Sequence, residues 1–68
     1  MYVVIEFMVD PDGNPGTLSY AFTSIDDAKA KFYSIMSVAA TSNTQIHSAA
    51  IMTDEMFLLK SDFCRHDG

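Results

Sequence analysis

From Phe32 to Thr53 the chain carries no Asp, Glu, Lys or Arg, a gap of 22 consecutive residues (32–53). His47 is the only side chain in it that titrates near neutral pH. An exposed helix face normally carries Glu and Lys. The gap spans the second half of a predicted helix and the whole of a predicted strand. Two readings of it stand open: ordinary uncharged surface, since Ser and Thr are common there, or a second face buried against another subunit.

The strands and the helix follow from periodicity. Tyr2 to Val9 is apolar on nearly both faces: Val3, Ile5, Phe7 and Val9 point one way, Tyr2, Val4, Glu6 and Met8 the other. That pattern predicts a central strand. Asp10 to Gly16 is rich in turn residues and predicts a projecting loop. Thr17 to Thr23 alternates with Leu18, Tyr20 and Phe22 on one side, and so predicts a half-buried hairpin partner. Ser24 stands where a helix N-cap is expected, with Asp26 and Asp27 in a first turn where the helix dipole favours acids. Ile25, Ala28, Phe32, Ile35, Met36 and Ala39 keep helical spacing, and Asn43 is the expected terminator. Gln45 to Thr53 and Met56 to Phe63 read as a third and a fourth strand, with a tight turn at Asp54-Glu55. In the fourth, Phe57, Leu59 and Phe63 are expected inward. The prediction is a single α+β domain over residues 1–68, ordered ββαββ, with one helix across a four-stranded, mostly antiparallel sheet and residues 65–68 frayed.

One helix covers only one side of such a sheet. Val4, Met8, Ala49, Ile51 and Leu58 are the residues expected on the uncovered side. The back of the helix is small and neutral: Ala30, Ser34, Ser37 and Thr41 fall in one line, with Tyr33 and Val38 beside it. Charge depletion marks the centre of interfaces, and a large apolar patch is seldom left bare on a monomer. Both surfaces are therefore candidate interfaces, and a symmetric dimer is the simplest way to cover them. The chain's size points the same way. A domain of 68 residues buries only about 60% of its unfolded surface, and a lone cysteine, Cys64, cannot staple it with an internal disulfide.

Composition excludes several functions. Nine acids against four bases give a net charge of −5, which argues against binding phosphate backbones. The hydrophobic content of 49% excludes a disordered acidic tail. One Cys and two His do not make a zinc ribbon. The apolar start meets Glu6 without a basic region before it, unlike a secretory signal, and no run is long enough to span a membrane. A cytoplasmic protein is expected, with no cofactor, no nucleic acid and no membrane among its partners.

The candidate sites are few. Asp10, Asp12 and Asn14 stand at the first three ligand positions of a calcium loop, but Pro15 and Ala21 occupy the positions of its Gly and Glu, so an acidic hairpin turn is the better reading. His47, mid-strand in the neutral stretch, is the one functional candidate. A half-buried histidine bonded to a neighbour such as Tyr20 or Tyr33 is the plainer account. Asp62, Cys64 and His66 alternate onto one strand face, too close to the terminus to argue for a metal. The remaining acids read as a solubilising surface and the methionines as core filler.

The run Asp27 to Ser42, followed by His47-Ser48-Ala49-Ala50 and Leu59-Lys60-Ser61-Asp62, resembles a family of very short uncharacterised proteins of gut Firmicutes and of their phages and mobile elements. The family has no settled activity, so it assigns no role to a residue. The resemblance implies a small cytoplasmic accessory protein, in the host cytoplasm where a phage encodes it. Three functions stay open from the sequence. The first is a non-enzymatic interaction module acting as a homodimer or larger assembly. The second is an acidic inhibitor of a basic host protein, acting through Asp10, Asp12, Asp26 and Asp27. The third is a small enzyme with an intersubunit site around His47.

Overall fold

A computed structural model describes residues 1–66 of the chain. Its elements are β1 (Tyr2–Val9), β2 (Pro15–Phe22), α1 (Ile25–Ala39), β3 (Ile46–Thr53) and β4 (Leu58–Arg65). The order is ββαββ, as the periodicity predicts. The four strands form one antiparallel sheet in the order β2-β1-β3-β4. β1 is central, which explains its apolar residues on both faces.

The register fixes the two sides of the sheet. Val4 stands between Tyr20 and Ile51, and Glu6 between Leu18 and Ala49. The helix lies over this side. Its buried residues Ala28, Phe32 and Ile35 meet Val4, Ala49 and Ile51 in the core, with Tyr2, Tyr20, Phe22, Ile25 and Met36 packed around them. Phe32, Ile51 and Val4 are the largest side chains fully removed from solvent.

This reverses one expectation. Val4, Ala49 and Ile51, expected on the uncovered side, are 0%, 4% and 1% exposed and form the core under the helix. Met8, in phase with Val4, goes with them and is half-buried. The bare face is built instead from Val3, Ile5, Phe7 and Val9 of β1, with Ile46, Ala50 and Met52 of β3 and Phe63 of β4 in register with them. The cause is Glu6. An acid in the alternation looks like a mark of the solvent side, yet Glu6 is only 8% exposed.

The ends of the elements also differ from expectation. Ser24 caps the helix with extended backbone, its Oγ accepting from the Asp26 N–H at 3.2 Å. The C-terminal end comes at Ala40, not Asn43. Ala40 keeps right-handed helical dihedrals, and the chain leaves through the tightened bonds Thr41 N–H to Val38 O and Ser42 N–H to Ala39 O. β4 begins two residues later than predicted, and Phe57, Leu59 and Phe63 are exposed, not inward. Leu58 lies opposite Met52, where a register shift breaks the ladder, and is 59% exposed. Arg65 and His66, expected to fray, are held: Arg65 pairs with Ile46 and the His66 N–H donates to Gln45 O. Asp67 and Gly68 lie outside the described residues.

The β3–β4 turn accounts for the displaced strand. Met56 adopts a left-handed φ of +68°, with its N–H donating to Thr53 O while the Thr53 N–H donates to Phe57 O. The Thr53 hydroxyl accepts from the Phe57 N–H. A non-glycine residue there costs on the order of 1 kcal/mol. The substitution Met56→Gly is therefore expected to raise stability by up to about 1 kcal/mol in urea titrations. A loss of stability would mean that the methionine side chain, although exposed, contributes more than the strain.

Candidate functional site

The polar groups under the helix form one line across the sheet. Tyr20 on β2, Glu6 on β1 and His47 on β3 lie diagonally from strand to strand. The Tyr20 hydroxyl donates to Glu6 Oε1 at 3.2 Å. His47 Nε2 lies 2.5 Å from Glu6 Oε2. A carboxylate only accepts, so the bonding proton belongs to the imidazole. The Lys31 ammonium sits 4.2 Å from the Tyr20 ring centre and closes the line from the helix side.

The partner of His47 is thus Glu6, a residue the sequence reading leaves on the surface. Neither tyrosine fills the role; Tyr20 bonds Glu6 instead. The available signal was a pair of polar interruptions, one in each of two otherwise apolar strands. An imidazole oriented by a carboxylate is the usual arrangement of a general base. Here, however, His47 is 3% exposed and its Nδ1 is buried without a partner. The histidine lies beneath the helix, removed from the surface of the single chain. The geometry supports a buried polar clasp.

Just past Cys64, the β4 register partner of His47, the His66 ring turns back to the helix. Its Nε2 lies 3.0 Å from Ala39 O and 3.4 Å from Cys64 Sγ. Donation to Ala39 O satisfies one of the carbonyls that a helix leaves open at its C-terminus, in a last turn with no basic residue of its own. Asp62, the third member of the alternating set, accepts the Phe63 N–H at 2.8 Å. Among the described residues no group of three His, Cys, Asp or Glu is arranged to hold a metal.

The Asp10 loop is a self-contained turn. The Asp10 carboxylate accepts from the N–H groups of Asn14 at 2.8 Å and Asp12 at 3.0 Å, and from the Asn14 side-chain amide at 3.3 Å. Gly13 takes the positive φ of +90° that the turn requires. These bonds, chiefly that from the Asn14 backbone, hold the Asp10 carboxyl below the usual carboxylate range. The loop's best oxygen donor is therefore committed to its own backbone.

The helix-back residues Ala30, Tyr33, Ser34, Ser37, Val38 and Thr41 are all exposed, Tyr33 and Val38 by more than half. The bare sheet face has more shape. Small residues of β3, Ser48 and Ala50, form a trough flanked by Ile5 and Phe7 on one side and Ser61 and Phe63 on the other, with a volume of about 470 Å³. Beside the trough, Val3, Ile5, Phe7 and Val9 make a ridge along β1. The one charged residue in phase with this face is Arg65, at the end of β4. No helix is long and apolar enough to cross a membrane among the described residues. No family model, curated protein or solved structure matches the chain.

Two predictions follow from the clasp and the loop. Removing one partner of a buried hydrogen bond leaves the other unsatisfied, at a cost of about 1–3 kcal/mol. Total stability for a chain of 68 residues is roughly 3–10 kcal/mol, at about 0.05–0.15 kcal/mol per residue. His47→Ala should therefore remove a large part of that stability, whereas the double change Glu6→Leu with His47→Phe should retain or raise it. Urea titration of the three proteins distinguishes a clasp kept for stability from one replaceable by apolar packing.

For Asp10, the lowered folded pKa means a stabilising contribution fully present above the unfolded value. It is lost as pH falls through the folded value. Asp10→Asn should thus remove part of the acid-side decline in stability below about pH 4. Denaturation curves collected down to pH 2 that run parallel for the two proteins would contradict this.

Proposed function

We propose that the chain is a non-enzymatic protein-interaction module that works as a homodimer closed through the bare face of its sheet. The observation that carries this reading is the self-complementary relief of that face. The β1 ridge and the β3 trough are adjacent and parallel. A twofold axis running along the strands between them would set each ridge over the partner's trough. Sheets stacked in this way interdigitate at about 10 Å.

Charge and area support the same occupant. The molecule carries −5, so two copies approach most easily where carboxylates are sparse, and on this face the trough meets only Asp62, at its β4 rim, whose carboxylate accepts the Phe63 N–H. Eight-residue strands run about 26 Å and four of them span roughly 19 Å, which gives about 500 Å² per copy. Two such faces come to the roughly 1,000 Å² that a specific interface needs. The helix back is the weaker candidate, because it is a row of small exposed side chains with no comparable relief. The lone thiol of Cys64 suits a reducing compartment, which supports a cytoplasmic module. An accessory role in a phage or mobile element fits the sequence resemblance.

Light scattering coupled to size exclusion tests the proposal. The expected result is a dimer at tens of micromolar. Phe63→Lys, at a site 66% exposed within the single subunit, is expected to yield a folded monomer. Ser37→Glu on the helix back is expected to leave the dimer intact. A wild-type monomer, or a dimer lost only with Ser37→Glu, would overturn the face as the interface.

A further inference from the structure

The sheet has two open edges, and they are built differently. β4 is guarded. Its ladder with β3 shifts register at Ile51/Met52, and Lys60, Asp62 and Arg65 place charges along it. The His66 N–H donates to Gln45 O, and this fixes the alternation of the antiparallel ladder, leaving Ser61, Phe63 and Arg65 with their backbone groups directed outward. The outward N–H of Phe63 is already taken by the Asp62 carboxylate. Register breaks, edge charges and plugged amides are the devices that keep a strand from pairing with other chains.

β2 has none of these along its length. Its pairing with β1 is continuous from Val9↔Pro15 to Tyr2↔Phe22. Its only proline is the first residue, and no charged side chain occurs between Pro15 and Ile25. The Asp10 N–H donates to Asn14 O, so the residues facing β1 are 14, 16, 18, 20 and 22. Thr17, Ser19 and Ala21 therefore direct their N–H and C=O groups away from the sheet, and all three residues are exposed.

We propose that the β2 edge is a docking site for an extended segment of a partner protein, added as a fifth strand, with a neutral middle and Lys or Arg at both ends. The outward backbone row selects an extended strand, since main-chain hydrogen bonds supply the affinity in this mode of recognition. The charges at the ends of β2 select its composition. Asp10 and Asp12 stand just before the strand, and Asp26 and Asp27 just after it. A second copy of this chain is the wrong occupant. An antiparallel pair of β2 strands would set Asp10 and Asp12 of each molecule beside Asp26 and Asp27 of the other, and like charges placed together oppose association. The site uses the outward backbone of β2, whereas the dimer uses side chains; those of Thr17, Ser19 and Ala21, in register with Phe7, Ile5 and Val3, border the dimer face, which an added strand leaves uncovered.

The probe is a fluorescein-labelled peptide of alternating Thr, Val and Tyr with two lysines at each end, titrated into the full-length protein at low and at physiological salt. Binding is expected to weaken at least several-fold as salt rises. The same peptide with glutamates at its ends should bind at least tenfold more weakly. Ser19→Pro removes one outward N–H without touching the ladder to β1. It should weaken binding at least tenfold while circular dichroism stays unchanged. Asp12→Asn with Asp26→Asn should reduce both affinity and salt dependence. The residue-level signature is slowed amide exchange at Thr17, Ser19 and Ala21 on addition of peptide. Phe63→Lys should bind the peptide as well as wild type, whatever its oligomeric state, so failure of the dimer and failure of the edge site can be told apart. Equal binding of the lysine- and glutamate-ended peptides, or no binding of the lysine-ended one, would overturn the proposal. So would a Ser19→Pro protein that binds like wild type, or protection that does not alternate along β2.

Discussion

The contact between Glu6 and His47 determines which way this sheet faces. β1 is apolar on both sides, so its hydrophobic pattern alone allows the helix to dock on either one. A buried carboxylate is tolerable only with hydrogen-bond partners, and Glu6 finds His47 and Tyr20 on one side of the sheet. That side is the one the helix closes over, with the buried Val4, Ala49 and Ile51 beneath it. A one-residue slip of β1 against β3 would move Glu6 to the opposite side and separate it from both partners. The polar line thus fixes register and facing together, a task that the interchangeable apolar residues of β1 cannot perform.

Most of the fold is legible in the residues. The apolar patterning of the strands and the helical spacing after Ser24 locate all five elements within two residues at their starts. What the pattern could not convey comes down to a few side chains. Glu6 misleads because charge is taken to mark solvent, and its partner sits 41 positions away on another strand. Met56 conceals the start of β4, because left-handed turn positions are signalled by Gly or Asn and it is neither. Asn43 is a plausible helix terminator in sequence terms, but the helix has already ended, closed by Ser42, Thr41 and His66 on the last carbonyls. Each of these depends on a tertiary contact or a strained backbone that local propensity does not record.

The neutral stretch from residue 32 to 53 acquires a division of labour. On the helix, its inward half builds the core and its outer half is exposed and uncharged. On β3, one side holds His47, Ala49 and Ile51 under the helix, while the other, Ser48 and Ala50, lines the trough of the bare face. With small residues at the centre of its outward side, between Ile46 and Met52, this strand provides a core and a receptive surface within eight positions. The two sheet edges extend this economy, since one is plugged by its own aspartate and the other is left unguarded.

The strand order also bears on how the chain matures. β1 is made first yet belongs in the middle, between β2 and β3. As synthesis proceeds, it pairs at once with β2 in a local hairpin, while its other edge and both its apolar faces wait for the helix and β3 to emerge. Pairings so distant in sequence form slowly and leave sticky intermediates in the meantime. Until β3 pairs with it, the central strand keeps an open edge and a Glu6 without its histidine, so the contact that sets its facing is made only once the helix and β3 follow.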